Sequence, residues 1–191
     1  MSLRTAMTIC LAMALLAIAG CASTPAYYIS PNVDFSFIQR AAVVPFQNLS
    51  ADRFASQRME SVFLSELLNY EGIEILDPGE VLKVWNELRF GADAVLSPEQ
   101  AMLLGEKLGV DALFTGSVEE YGLERLGNDK TYNVTAVFSM VETVTGSVIW
   151  NAQVHTDGSS LRKKLFGGQP KSLYEVSRNA VRKSLDTLLS P

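Results

Sequence analysis

The stretch SPEQAMLLGEKLGVDALFTGSVEEYG, residues 97–122, holds a whole helix followed directly by a strand. Ser97 is a helix cap, Pro98 fits the first helical position, and Gln100 completes the cap. Ala101, Leu104 and Leu108 recur at helical spacing, and Gly109 is the stop signal. Residues 111–121 (DALFTGSVEEY) then read as a strand. Gly116 inside it suggests a bulge or a close backbone approach. Asp111, at the junction, reads as a local turn bond ahead of any functional contact.

Upstream, the same alternation runs back through the chain. Asp77-Pro78-Gly79-Glu80 announces a second helix, with Val81, Leu82, Trp85 and Leu88 on one face. Residues 73–76 (IEIL) form a short strand before it. From Arg53 to Tyr70, the apolar positions Ala55, Met59, Val62, Phe63, Leu67 and Tyr70 follow helical spacing, and Gly72 closes that helix. RAAVVPF (40–46) suits a buried strand ended by Pro45. QNLSAD (47–52) reads as a turn, in which Asn48 or Asp52 caps the helix that follows.

Downstream, the period changes to two. TYNVTAVFSMVE (131–142) puts Tyr132, Val134, Ala136, Phe138 and Met140 on one face, and SVIWNAQVH (147–155) does the same with Val148, Trp150, Ala152 and Val154. Thr145-Gly146 between them is a hairpin turn. Residues 171–189 return to helix, with Leu173, Val176, Ala180, Leu185 and Leu188 inward. The order is β-α-β-α-α-β-β-β-α. Early crossovers imply parallel pairing and the late hairpin antiparallel pairing, so the expected fold is α+β with a single mixed β-sheet and helices packed on it.

The N-terminus is a separate matter. Residues 6–19 carry no charge, yet fourteen residues are too few for a span of about 20. They fit the apolar region of a signal peptide. Ile18-Ala19-Gly20-Cys21 resembles a bacterial lipobox, which implies cleavage between Gly20 and Cys21 and lipid, palmitate among its acyl chains, on Cys21. Ala22 after the cysteine implies the outer membrane. The expected layout is a signal peptide over 1–20, a lipidated cysteine with a flexible tether over 21–37, and one periplasmic domain over 38–190. Tyr27 and Tyr28 in the tether either meet the membrane interface or pack on the domain.

Cys10 and Cys21 are the two cysteines. With Cys10 removed and Cys21 lipidated, no thiol is left for a disulfide, metal or nucleophile, and the domain must hold its core unaided. Removing residues 1–20 takes the net charge from −5 to −6, which argues against general nucleic-acid binding. The lipid on Cys21 is the one expected attached group, with no cofactor and no metal.

AAVVPFQNLSAD, EGIEILDPGEV, LGVDALFTGSVEEYG and VETVTGSVIW, in that order, resemble the curli-secretion lipoprotein family. Relatives of that family include lipoprotein activators of penicillin-binding proteins and the amino-terminal domain of TolB. The resemblance covers residues 38–156 and implies an envelope assembly factor that works by binding, in some members as a ring. The chain departs from the curli pore. A spanning hairpin needs two strands of about 9–11 residues, whereas Gly122 to Lys130 is short and carries Glu124, Arg125, Asp129 and Lys130. A pore made by this chain is not expected.

No catalytic constellation stands out. His155, the only histidine, falls on the polar side of its strand. FGGQPKS (166–172) lacks the spacing of a phosphate loop and reads as a turn into the last helix. Glu119, Glu120 and Glu124 read as a solvated strand end. Arg162, Lys163 and Lys164, the one dense basic run, are a candidate contact for anionic lipid or an acidic partner, with a solvated loop as the plainer reading. Trp85 reads as core. Trp150 reads as core or, on an open sheet face, as a partner contact. The expected function is a non-enzymatic assembly or secretion factor for an envelope or surface-polymer machine, with protein partners and self-association into a ring. The alternatives are an activator docking on a peptidoglycan synthase and, further off, an envelope enzyme.

Overall fold

The computed structural model describes residues 25–31, 33–126, 129–158 and 171–189. Eleven elements follow in order: β1 (Ala26–Ile29), β2 (Arg40–Val43), β3 (Gln47–Asn48), α1 (Ala55–Leu67), β4 (Glu74–Ile75), α2 (Pro78–Glu87), α3 (Pro98–Leu108), β5 (Ala112–Leu126), β6 (Asp129–Glu142), β7 (Val148–Asp157) and α4 (Leu173–Leu189). They build one mixed seven-stranded sheet, β1-β7-β6-β5-β2-β4, with β3 also on β5. β2, β3 and β4 pair in parallel, and β5, β6, β7 and β1 pair antiparallel. The α+β expectation holds.

Capping sets the starts of α2 and α3, whereas α1 follows Phe54 with no side-chain cap, so neither Asn48 nor Asp52 caps it as expected. Asp77 accepts from the backbone N–H of Gly79 at 2.7 Å, and Ser97 and Gln100 form a reciprocal capping box. Gly109 closes α3 at φ +63°, a conformation that favours glycine. Asp111 just beyond does more than a local turn bond. Its Oδ2 accepts from the backbone N–H groups of Gln39 and Arg40, each at 2.9 Å, and so fixes the start of β2 beside the start of β5. That partner lies some seventy residues away in sequence, so no local pattern points to it.

The tether expected over residues 21–37 is corrected where it is described. Ala26–Ile29 form β1, paired with β7 from Ala26↔Gln153 to Ile29↔Trp150, and Phe35–Phe37 make a 3-10 turn. The reason is that β7 offers a free edge of backbone donors and acceptors, and Tyr27, Tyr28 and Ile29 are good strand formers. Residues 47–52 are likewise more than a turn. Pro45 breaks the run begun by β2, and the chain rejoins β5 as β3.

Two cores form, one on each face of the sheet. Beneath α1 and α4 lie Met59, Phe63, Phe114, Phe138, Trp150 and Leu185, with Phe46 and Phe63 edge to face at 5.4 Å. Gly116 is the close approach expected of it: a Cβ there would stand 3.2 Å from the rings of Phe46 and Phe138. Beneath α2 and α3 lie Ala42, Val44, Trp85, Leu104, Leu113 and Val141. Two bulges correct the alternation read from sequence. An extra residue between Val118 and Glu120 returns Tyr121 to the core side and sends Glu120 to the other face. A second, between the Met140 and Val141 rungs, buries Ile149 and leaves Val148 exposed, although its spacing from Trp150 places it inward.

Candidate functional site

α2 and α3 cover only the β2–β5 side of their sheet face. Among the described residues, nothing covers that face over β7, β1 and the part of β6 before Val141. It carries a row of uncharged polar side chains, among which Asn151 Nδ2 donates to Ser139 Oγ at 2.8 Å. Where the covered and open parts meet, the loop before α3 overhangs the strands. A cleft of about 350 Å³ results, lined by Val44, Pro45, Leu96, Thr115, Ser117 and Val137.

At the far end of the open face stand Glu120, Thr135 and His155. Thr135 Oγ1 donates to Glu120 Oε2 at 2.7 Å and lies 2.8 Å from His155 Nδ1. With its proton committed to the carboxylate, the hydroxyl accepts from an Nδ1–H. Asn133 Nδ2 adds a donor to Glu120 at 3.3 Å. His155 and Glu120 are both more than half exposed. The cluster stands on a flat surface that excludes no water, where a proton relay gains little. Glu119 is the unpaired residue of the bulge and Glu124 lies further along β5 opposite Thr131, so the three acids are not one cluster. Among the described residues, no group of three His, Cys, Asp or Glu side chains is placed to hold a metal ion.

Trp150 is corrected as a partner contact. It is fully buried under α4, and its Nε1 donates to Thr187 Oγ1 at 3.0 Å. The covering helix comes from the far end of the chain, so alternation alone left both faces open as its place. Trp85 is core, as expected, its Nε1 donating to the Gly91 carbonyl at 3.2 Å. Gly20, Cys21, Arg162, Lys163 and Lys164 lie outside the described residues. Of FGGQPKS, Lys171 and Ser172 are described: Ser172 Oγ accepts from the Glu175 N–H at 3.2 Å, while the Glu175 carboxylate accepts from the Ser172 N–H. Those bonds cap α4 and hold the Glu175 carboxyl below the usual carboxylate range.

The feature missed in sequence is the outer edge of β1. β1 is the terminal strand of the sheet, and Tyr27 and Tyr28 on it are more than half exposed. The signal was present in the aromatic and β-branched run YYI, which begins six residues after the lipobox cysteine.

The described residues together define a class: a mixed sheet with helices on both faces, one sheet face half open and β1 at an edge. No family model and no curated protein matches the chain. Solved structures do. PelC from Paraburkholderia phytofirmans, a dodecamer in the crystal, aligns with a TM-score of 0.58 at 22% identity over 87% of this chain and 99% of its own. Lipoprotein GNA1162 from Neisseria meningitidis aligns with a TM-score of 0.58 at 20% identity, over 78% of this chain and 99% of its own. The hypothetical protein CT253 from Chlamydia trachomatis aligns with a TM-score of 0.51 at 10% identity, over 80% of this chain and 96% of its own. At these identities the likeness establishes a shared fold, one that the lipoprotein GNA1162 also has.

Proposed function

We propose that this chain is a lipoprotein held through Cys21 to the periplasmic face of the outer membrane. There it serves, without catalysis, as an assembly or secretion factor for an envelope or surface-polymer machine. The observation that carries the reading is the fold shared with PelC along nearly the whole of that protein's chain. The curli-type motifs and the lipobox support it from the sequence side.

PelC's dodecamer supports a ring here as well. The open edge of β1 gives such a ring a place to form, because unpaired backbone groups are a ready template for a neighbouring copy. β1 also bears on the synthase-activator alternative. Only Ala22 to Pro25 separate Cys21 from the first strand, so the anchored domain sits close to its membrane rather than reaching across the envelope.

Two measurements test the reading. The Cys21→Ser chain should leave the membrane fraction; retention there overturns the anchor. Sedimentation velocity on that soluble chain should show a closed species many times the protomer mass, stable to dilution. A monomer at every concentration overturns the ring.

A further inference from the structure

β5 and β6 run on past the rest of the sheet. The last rung between β6 and β7 is Asn133↔Asp157. Beyond it, β5 and β6 continue through Leu123↔Tyr132, Glu124↔Thr131, Arg125↔Lys130 and Leu126↔Asp129. Gly158 N–H still donates to the Tyr132 carbonyl at 2.7 Å and Thr131 is buried beside it, so among the described residues the last two rungs stand clear of the sheet. The result is a two-stranded arm projecting from one end of the sheet.

The register of β1 fixes which end that is. Ala26 stands beside Gln153, and Gln153 beside Val137. β1 enters the sheet running away from the arm, so its first residue, Ala26, is the end of β1 nearer the arm. From the level of Val137 to the rung at Asp129 is eight residues, or about 26 Å at roughly 3.3 Å each. From Ala26 back to Cys21 is five residues, which even fully stretched cover about 17 Å. The arm therefore reaches further toward the anchor's membrane than the anchor's own chain can. With that chain fully extended, it takes a tilt of the strands by more than about 30° from the membrane normal, in the direction that lifts the β5–β6 side roughly 10–14 Å across the sheet from β1, to hold the arm clear of the surface.

We infer, on the reading that Cys21 is lipidated, that the β5–β6 arm rests in the headgroup layer of the same membrane and sets the domain's orientation on it. The arm suits that place. Its charged residues, Glu124, Arg125, Asp129 and Lys130, cancel in a mature chain of net charge −6, and Leu123 is 50% exposed. Four rungs make about 13 Å, well short of the 30 Å hydrocarbon core, so the arm touches without spanning. The opposite pole, the β6–β7 turn with Val144 exposed, faces away into the periplasm.

The lipidated chain has no other free thiol, so one introduced cysteine takes a fluorophore selectively. Leu123→Cys and Arg125→Cys report on the arm, and Val144→Cys on the far pole. Each labelled lipoprotein is reconstituted in phosphatidylethanolamine–phosphatidylglycerol vesicles carrying nitroxide at headgroup depth. Quenching several-fold stronger at 123 and 125 than at 144 is expected. Flotation with the vesicles but equal quenching at all three positions, or stronger quenching at 144, overturns the arm contact and leaves the anchor standing. Failure to float overturns the anchor and the arm contact together.

Discussion

Glu66 on α1 lies almost wholly out of solvent, its side chain 6% exposed, and it is clasped by two arginines of α4. Arg178 Nε donates to one carboxylate oxygen at 2.6 Å and Arg182 Nε approaches the other at 3.1 Å. The arginine side chains are 43% and 56% exposed. The two ends of this clasp are therefore unequal. Replacing both arginines by methionine strands a desolvated carboxylate, a change that costs about 3–5 kcal/mol. Glu66→Gln instead frees two guanidinium groups that already reach water. Its cost is the net worth of the lost charge-assisted hydrogen bonding, about 1–2 kcal/mol after solvent screening. In a domain of this size about 1 kcal/mol moves the midpoint by roughly 2–4 °C. The arginine pair variant should thus melt roughly 6–20 °C lower and Glu66→Gln roughly 2–8 °C lower. Thermal unfolding of the Cys21→Ser chain, at fixed protein concentration and pH 7, followed by tryptophan fluorescence, measures both. Trp150 is a fitting reporter because it is buried against the same helix. Equal losses in the two variants would refute the reasoning, since they would show that mutual attraction, and not the stranded carboxylate, dominates.

Gly105 on α3 is a site where helix propensity and packing disagree. Alanine there gains about 1 kcal/mol in propensity, yet its Cβ would stand 2.3 Å from Cβ and Cγ2 of Thr143. Thr143 is held by a 2.7 Å hydrogen bond from its hydroxyl to the Val110 carbonyl, and overpacking of this kind costs about 1–3 kcal/mol. Gly105→Ala should lower the melting temperature, and Thr143→Ser should recover part of the loss; a rise in melting temperature for the single variant would contradict this. Glu60 gives a pH signature. Burial pushes its carboxyl up, against a smaller opposing pull from the Phe46 N–H. The folded chain therefore holds that proton to higher pH than the unfolded chain does, and stability falls as pH rises through the ordinary carboxylate range. Glu60→Gln keeps an acceptor for Phe46 and should melt higher than the parent at pH 7 and level with it at a pH low enough to protonate Glu60 in the folded and unfolded parent alike; scans that run parallel across pH would count against it.

Much of this fold is legible locally. The capped starts of α2 and α3, the left-handed Gly109 and the Thr145-Gly146 turn are each written in three or four adjacent residues, because their hydrogen bonds close within one turn of chain. The core faces of α1 and β6 follow from period alone, since burial on one side of an element repeats at that element's own spacing. Val148 and Glu120 escape that logic. A single extra residue in each of two strands reverses the alternation, and what decides it is the register with the partner strand.

The sequence by itself determined the α+β class, the order of the elements from β2 onward, and Trp85 as core. It did so because propensity, capping and hydrophobic period act over neighbouring residues; β3, read locally as a turn, was the exception, since its pairing with β5 is long-range. Only the tertiary structure decided that Asp111 ties β2 to β5, that Trp150 is sealed by α4, that residues 26–29 join the sheet as its edge, and that half of one sheet face stays open. Each depends on segments tens of residues apart meeting in space. The same holds for the β5–β6 arm. Its residues are plain in the sequence, but their direction relative to Cys21 exists only once β1 has taken its register on β7.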